Sequence, residues 1–154
     1  MIPGFAGAAL TPDDLLDGKK PGRSVVIYDD DHYCMANAMA VDHAHQGHQV
    51  HIVSSMPTLA GWLGNTLEYP RMIAELLEAG VTMYPNTAAT AWQDGTLRIR
   101  RADTGADMSP IEADSLLSVT IRLPRLDVHE QLSQAGVTQR VIGDAGVGVG
   151  VPPV

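Results

Sequence analysis

The sequence predicts an α/β domain of Rossmann-like type, three layers around a central parallel sheet with a small antiparallel hairpin attached. Three observations carry that prediction. Residues 23–55, RSVVIYDDDHYCMANAMAVDHAHQGHQVHIVSS, read as strand, helix and strand in a length that suits a single parallel crossover, the opening unit of a dinucleotide-binding fold. A second apolar-periodic helix, ending at Gly80, leads into a third short apolar run at Val81–Tyr84. The dipeptide Asp94-Gly95 then stands between two strand-like segments, the strongest short-range hairpin signal.

Taken in order, residues 1–22 read as an N-terminal lead-in. Within it TPDDLLD, residues 11–17, has a cap residue, a proline at the first helical position and acids in the first turn, so a short helix is expected before Gly18. Val25 to Tyr28 form an apolar, β-branched run suited to a strand buried on both faces. The helix Met35–Gln46 carries Ala36, Ala40 and Ala44 one turn apart, a small-residue row that lets a helix lie close to a sheet, and Gly47 stops it. Val50, Ile52 and Val53 supply the next strand. Met56–Asn65 is irregular, broken by Pro57, Gly61 and Gly64. The following helix begins near Thr66 or Pro70, with Met72, Ile73, Leu76 and Leu77 at helical spacing. Ala88–Trp92 and Leu97–Arg101 form the hairpin, Ile111–Glu112 adds a short strand, and Leu116, Leu117, Val119 and Ile121 return to the core. The expected organisation is a lead-in at 1–22, a Rossmann-like unit at 23–122 and a C-terminal segment at 123–154.

Composition bounds the function. The 154 residues suit one domain with a real core, and ten Lys and Arg against eighteen Asp and Glu give a net charge of −8 without any basic run. Nucleic acid and anionic membrane surfaces are therefore not expected as partners. No apolar stretch approaches the ~20 residues of a membrane span, and the opening MIPGFAGAAL lacks the basic start of a secretory signal, so a cytoplasmic location is expected. The single cysteine, Cys34, excludes an intrachain disulfide or a multi-thiolate cluster held by this chain alone, and reads as a small helix residue facing the core.

The turn inside the first crossover is where a dinucleotide would dock, because pyrophosphate sits on amides at the helix start and glycines let the backbone approach it. Here the three fingerprint positions fall on Asp29, Asp31 and Cys34, with Asp30 between the first two. Carboxylates stand where phosphates would go, and side chains at the glycine positions obstruct the close approach. Ser54 and Ser55 occupy the place of the acidic ribose anchor. The cofactor-binding positions are present in degenerate form.

Other constellations are weaker. His43, His45, His48 and His51 fall within nine residues with His32 nearby, but helix ligand pairs prefer spacings of three or four, and solvent-facing histidines around a helix end are expected instead of a metal site. The run Asp29, Asp30 and Asp31 reads as helix capping that complements the positive end, not as a cation site. No serine, cysteine or histidine arrangement with a third orienting group stands out, so no catalytic residue and no metal are expected. Gly146, Gly148 and Gly150 are followed by Pro152 and Pro153, which leave no helix to hold phosphate.

The segments DGKKPGRSVVIYDDDHYCMA, GHQVHIVSS, NTLEYPRMIAELLEAGV, ADSLLSVTIR and VIGDA, in that order, resemble the C-terminal part of trimethylamine dehydrogenase and its dimethylamine and histamine dehydrogenase relatives, over roughly residues 11 to 145. The resemblance implies an NADPH-domain-like unit, as in the disulfide reductases, followed by the first step back into an FAD-like domain. In that family a flavin barrel carries FMN and an iron-sulfur cluster. Such a barrel needs about 250 residues, so the resemblance implies that both groups belong to a partner chain and that no cofactor is expected on this one. Thr120-Ile121-Arg122 has isoleucine where the reductases carry glycine, and Gly143-Asp144 matches the flavin-domain glycine-aspartate, which makes Asp144 a further cofactor-site position. Two functions are thus expected as alternatives. One is a non-catalytic subunit or split domain of a flavoprotein oxidoreductase, with a flavoprotein partner subunit. The other is a stand-alone module for an adenine nucleotide.

Overall fold

The structure, a computed structural model, describes residues 2–120 and 126–146, the side chains of 144 and 145 excepted. Two compact units divide the chain, residues 1–120 and 121–154. The central sheet of the first unit is parallel, in the order β3-β2-β1-β7, from β1 (Ser24–Asp29), β2 (Gln49–Ser54), β3 (Thr82–Tyr84) and β7 (Ser115–Val119). Register follows the apolar runs: Val25 lies opposite Val50 and Ile27 opposite Ile52 on one side, and Ile27 opposite Leu117 on the other.

Period-2 alternation sorts β1 between two cores. Val25 and Ile27 face α2 (Met35–His45) and α3 (Tyr69–Glu78), packing with Ala36, Ala40 and Leu76. Val26 and Tyr28 face the other way, onto Leu97, Ile99 and Ile111 of an antiparallel sheet. Val25, Val26 and Ile27 are all 0% exposed, so each contributes the roughly 1.5–3 kcal/mol of a fully buried aliphatic side chain. The layers are helices, parallel sheet and antiparallel sheet, the three-layer architecture that the sequence predicts.

The antiparallel layer is three strands in the order β4-β5-β6, from β4 (Thr87–Gln93), β5 (Thr96–Arg101) and β6 (Ile111–Glu112). Asp94 and Gly95 both take positive φ, 50° and 77°, the backbone of a two-residue turn whose twist matches the strands it joins. The chain then returns to the parallel sheet beside β1. In α3 the predicted stripe is one residue too wide: Met72, Ile73 and Leu76 pack inward, whereas Leu77 is 61% exposed.

Residues 2–22 pack on the sheet as well as leading into it. Leu10 forms a parallel bridge with Leu117, its amide donating to the Leu116 carbonyl at 2.8 Å while the Ser118 amide donates to its own carbonyl at 2.8 Å. Ile2, Phe5 and Ala9 lie on the core beneath the antiparallel layer. The expected short helix is α1 (Pro12–Leu16), started by a capping box in which Thr11 and Asp14 each satisfy the other's amide.

The second unit contains α4 (Asp127–Gln134) and a 3-10 turn at Gly143–Gly146. Val128 and Leu132 of α4 are exposed. The readings of Ile121 and of the glycines and prolines from 147 onward fall outside the described residues. No described helix is long and apolar enough to cross a membrane.

Candidate dinucleotide crevice

In an open parallel sheet, ligands bind beyond the carboxyl ends of the strands where the strand order reverses. Here β1 is that point, with β2 on one side and β7 on the other. The turn from β1 into α2 therefore occupies the position a pyrophosphate requires, and its geometry decides what the crevice can hold.

Asp29, at the first fingerprint position, closes the last register pair of β1 and is 0% exposed. Its Oδ1 accepts the His32 amide at 2.9 Å, while Oδ2 is buried with no partner among the described residues. The carboxylate thus occupies, from within, the place where turn amides would receive a phosphate. Burial is the largest influence on Asp29 and pushes its pKa up to about 6, against the opposing pull of the His32 amide. Asp30 continues the sheet by one residue, its amide donating to the Val119 carbonyl at 2.8 Å. The turn's positive φ, 61°, belongs to His32 and to none of the three fingerprint positions.

His32 ties the turn to its surroundings. Its Nδ1 lies 3.2 Å from Ser54 Oγ, its Nε2 4.0 Å from Asp30 Oδ1, and its carbonyl accepts the Trp62 amide at 3.3 Å. Ser54, at the ribose-anchor position, is 0% exposed and also accepts the Met56 amide at 3.4 Å, so it is spent on holding the backbone. Asn37, also 0% exposed, donates from Nδ2 to the Tyr33 carbonyl at 2.9 Å and binds the turn to the helix. Sequence reasoning met His32 only as a neighbour of the histidine cluster, not as the residue that shapes this turn, and did not single out Asn37, although Asn37 lies between Ala36 and Ala40 on the buried face, where a polar residue needs a reason.

Two sequence expectations about this turn are corrected. The carboxylates do not cap α2: the first turn of the helix holds no acid, and Asp29 is folded back into the turn instead. Cys34 does not face the core. It stands at the N-cap, exposed, and its side chain makes no cap bond, because the buried face begins only at Ala36. Beside it lies a recess of about 180 Å3 lined by Tyr33, Glu68, Arg71 and Glu75. Arg71, the one cation lining it among the described residues, is already engaged, its Nε donating to Glu75 Oε1 at 2.8 Å. Space and charge both disfavour a dinucleotide phosphate there.

The histidines also differ from expectation. His45 is exposed as expected, but His43 is 7% exposed, its ring centroid 5.5 Å from that of His48, and burial first, then the His48 ring, pushes its pKa down. His48 donates from Nδ1 to the Gly22 carbonyl at 2.8 Å. Among the described residues, no three of His, Cys, Asp and Glu converge to hold a metal. Asp144 lies in the 3-10 turn of the second unit, and its flavin-domain reading concerns a side chain outside the described ones.

Residues 10–108 match the model of the OYE-like second alpha/beta domain. The chain belongs to the OYE-like second alpha/beta domain family. Among solved structures, it is 31% identical to histamine dehydrogenase from Rhizobium sp. 4-9, with a TM-score of 0.82 over 88% of this chain and 20% of that one. With 6-hydroxypseudooxynicotine amine oxidase from Pseudomonas geniculata N1 it shares 32% identity, with a TM-score of 0.85 over 96% of this chain and 23% of that one. A 2-naphthoyl-CoA reductase shares the fold at 20% identity and a TM-score of 0.68, over 84% of this chain and 19% of that one. The resemblance to the histamine and trimethylamine dehydrogenase group therefore holds in structure as well as in sequence, and this is an oxidoreductase-related domain. It spans 20% and 23% of the lengths of the two similar amine-oxidising enzymes.

Proposed function

We propose that this chain is a non-catalytic subunit or split domain of a flavoprotein oxidoreductase resembling trimethylamine dehydrogenase. It supports assembly or electron transfer and holds no dinucleotide of its own. The observation that carries the reading is Asp29, a fully buried carboxylate that accepts the His32 amide at 2.9 Å where a phosphate would sit. A turn that already contains its anion, with Asp30 and Asp31 beside it, has lost the free amides and the charge balance that nucleotide binding uses. Asp29, Asp31 and Cys34 are then relics of a fingerprint. The reading places FMN and an iron-sulfur cluster on a partner flavoprotein subunit in the cytoplasm, and it takes support from the likeness to enzymes four to five times longer. The alternative of a stand-alone adenine-nucleotide module loses support from the same carboxylate.

Purification from the native host under gentle conditions, followed by an absorption spectrum, tests this. The chain is expected to copurify with a flavin-containing protein, giving flavin and iron-sulfur bands. Recovery of the chain alone, colourless and with no flavoprotein bound, would overturn the reading.

A further inference from the structure

On the face of the parallel sheet opposite α2 and α3, a groove of about 540 Å3 opens between residues 2–11 and the carboxyl ends of β1 and β7. Its volume falls within the range of small-ligand sites, roughly 300–1,000 Å3. Phe5 and Tyr28 meet edge to face, ring centroids 5.5 Å apart, and Tyr28 is 7% exposed. Asp30, with a side chain 44% exposed, lines the same groove as Tyr28. Ser118 and Thr120 add hydroxyls, Ile2 and three small residues add apolar wall, and among the described residues the lining contains no Lys, Arg or His.

We propose that this groove binds a small organic cation, its ammonium group against the Asp30 carboxylate and its apolar or aromatic body over Phe5 and Tyr28. Charge selects the class, because the carboxylate at the rim repels anions and leaves a neutral ligand without its strongest contact. Aromatic faces favour the same ligand, since a ring quadrupole attracts a cation held nearby. Tyr28, 7% exposed, is too buried to be the primary anchor. One competitor stands close: His32 Nε2 is 4.0 Å from Asp30 Oδ1 and, if protonated, would contend for the carboxylate. The proposal does not depend on the flavoprotein reading, because it concerns a different face of the sheet and an unassembled chain can test it.

Amide chemical shifts of the whole chain, titrated at about pH 8 where an ordinary imidazole is neutral, provide the test. The probes are benzylammonium, benzyl alcohol and benzoate, which share a ring and differ in charge. Benzylammonium is expected to shift the amides of Tyr28, Asp30 and Ser118 saturably, about tenfold or more tighter than either other probe. Asp30→Asn should erase the preference for the cation, and Phe5→Leu should weaken all three probes while leaving that preference in place. Equal affinities for the three probes, absence of saturable shifts, or an undiminished preference in Asp30→Asn would each overturn the proposal. Should either variant misfold, the comparison of the three probes on the unaltered chain decides.

Discussion

Asp29 links the chemistry of the turn to stability through its proton. Its folded pKa of about 6 lies above the ordinary carboxylate value of 3.8, so the fold favours the neutral acid. The contribution to stability is fully present below about pH 4 and is lost as pH rises through about 6, a swing on the order of 2 to 3 kcal/mol. Asp29→Asn keeps an oxygen for the His32 amide and removes the charge. Its stability relative to the unaltered protein should therefore rise by that amount between about pH 4 and pH 7. Urea midpoints of the two proteins across this range measure it. A difference independent of pH would show that the buried carboxylate is not strained by its charge. Other acids with lowered pKa values, such as Asp14 and Asp114, act in the opposite sense but are common to both proteins and cancel. What sequence could tell at this scale was the kind of residue, not its direction. The loss of glycine at positions 29 and 31 was legible, yet the fold-back of Asp29 needs the His32 backbone at φ 61°, and no pattern announces that. Cys34 was misplaced because it stands at the N-cap, where 3.6-residue periodicity no longer fixes which way a side chain points, whereas His43 continues the stripe of Ala36 and Ala40 and its burial was there to be read from that spacing.

At the scale of elements the sequence was far more informative. Strands β1 and β2 are short β-branched runs that would be equally at home on either face, and burial on both faces is what the parallel sheet supplies. The turn Asp94-Gly95 was legible because few dipeptides tolerate two successive positive φ values. The pairing of β6 with β5, by contrast, rests on two residue pairs that follow a polar loop, too little sequence for a strong pattern. Helix α2 is held by its small face: Ala36 and Ala40 are 1% and 0% exposed against β1 and β2. Enlarging that face should force the helix off the sheet, and Ala40→Leu is expected to destabilise the protein by about 1–3 kcal/mol. Denaturant unfolding would read this as a lower midpoint at unchanged slope. A stability within about 0.5 kcal/mol of the parent would mean that the contact is looser than the burial of Ala40 implies.

For the whole molecule, the account turns on what the carboxyl edge of the parallel sheet can bind. The Rossmann-like frame is intact, from strand order to crossover, while the turn departs from the glycine fingerprint: the His32 amide is engaged by Asp29, a second and third carboxylate follow, and Ser54 is committed to His32 and Met56. The fold was legible because it is written in many redundant apolar positions, whereas any partner would be recognised through surfaces that carry no such repetition. One like-charge contact at protein-surface screening is worth roughly 1 to 4 kcal/mol, or about ten- to several-hundred-fold in affinity, so on the proposed reading several together are expected to remove useful binding. The central claim, that this crevice has ceased to be a dinucleotide site, is tested most directly by calorimetric titration of the chain with NADH and NADPH. The account predicts dissociation constants above the millimolar range for both, and micromolar binding of either would contradict it.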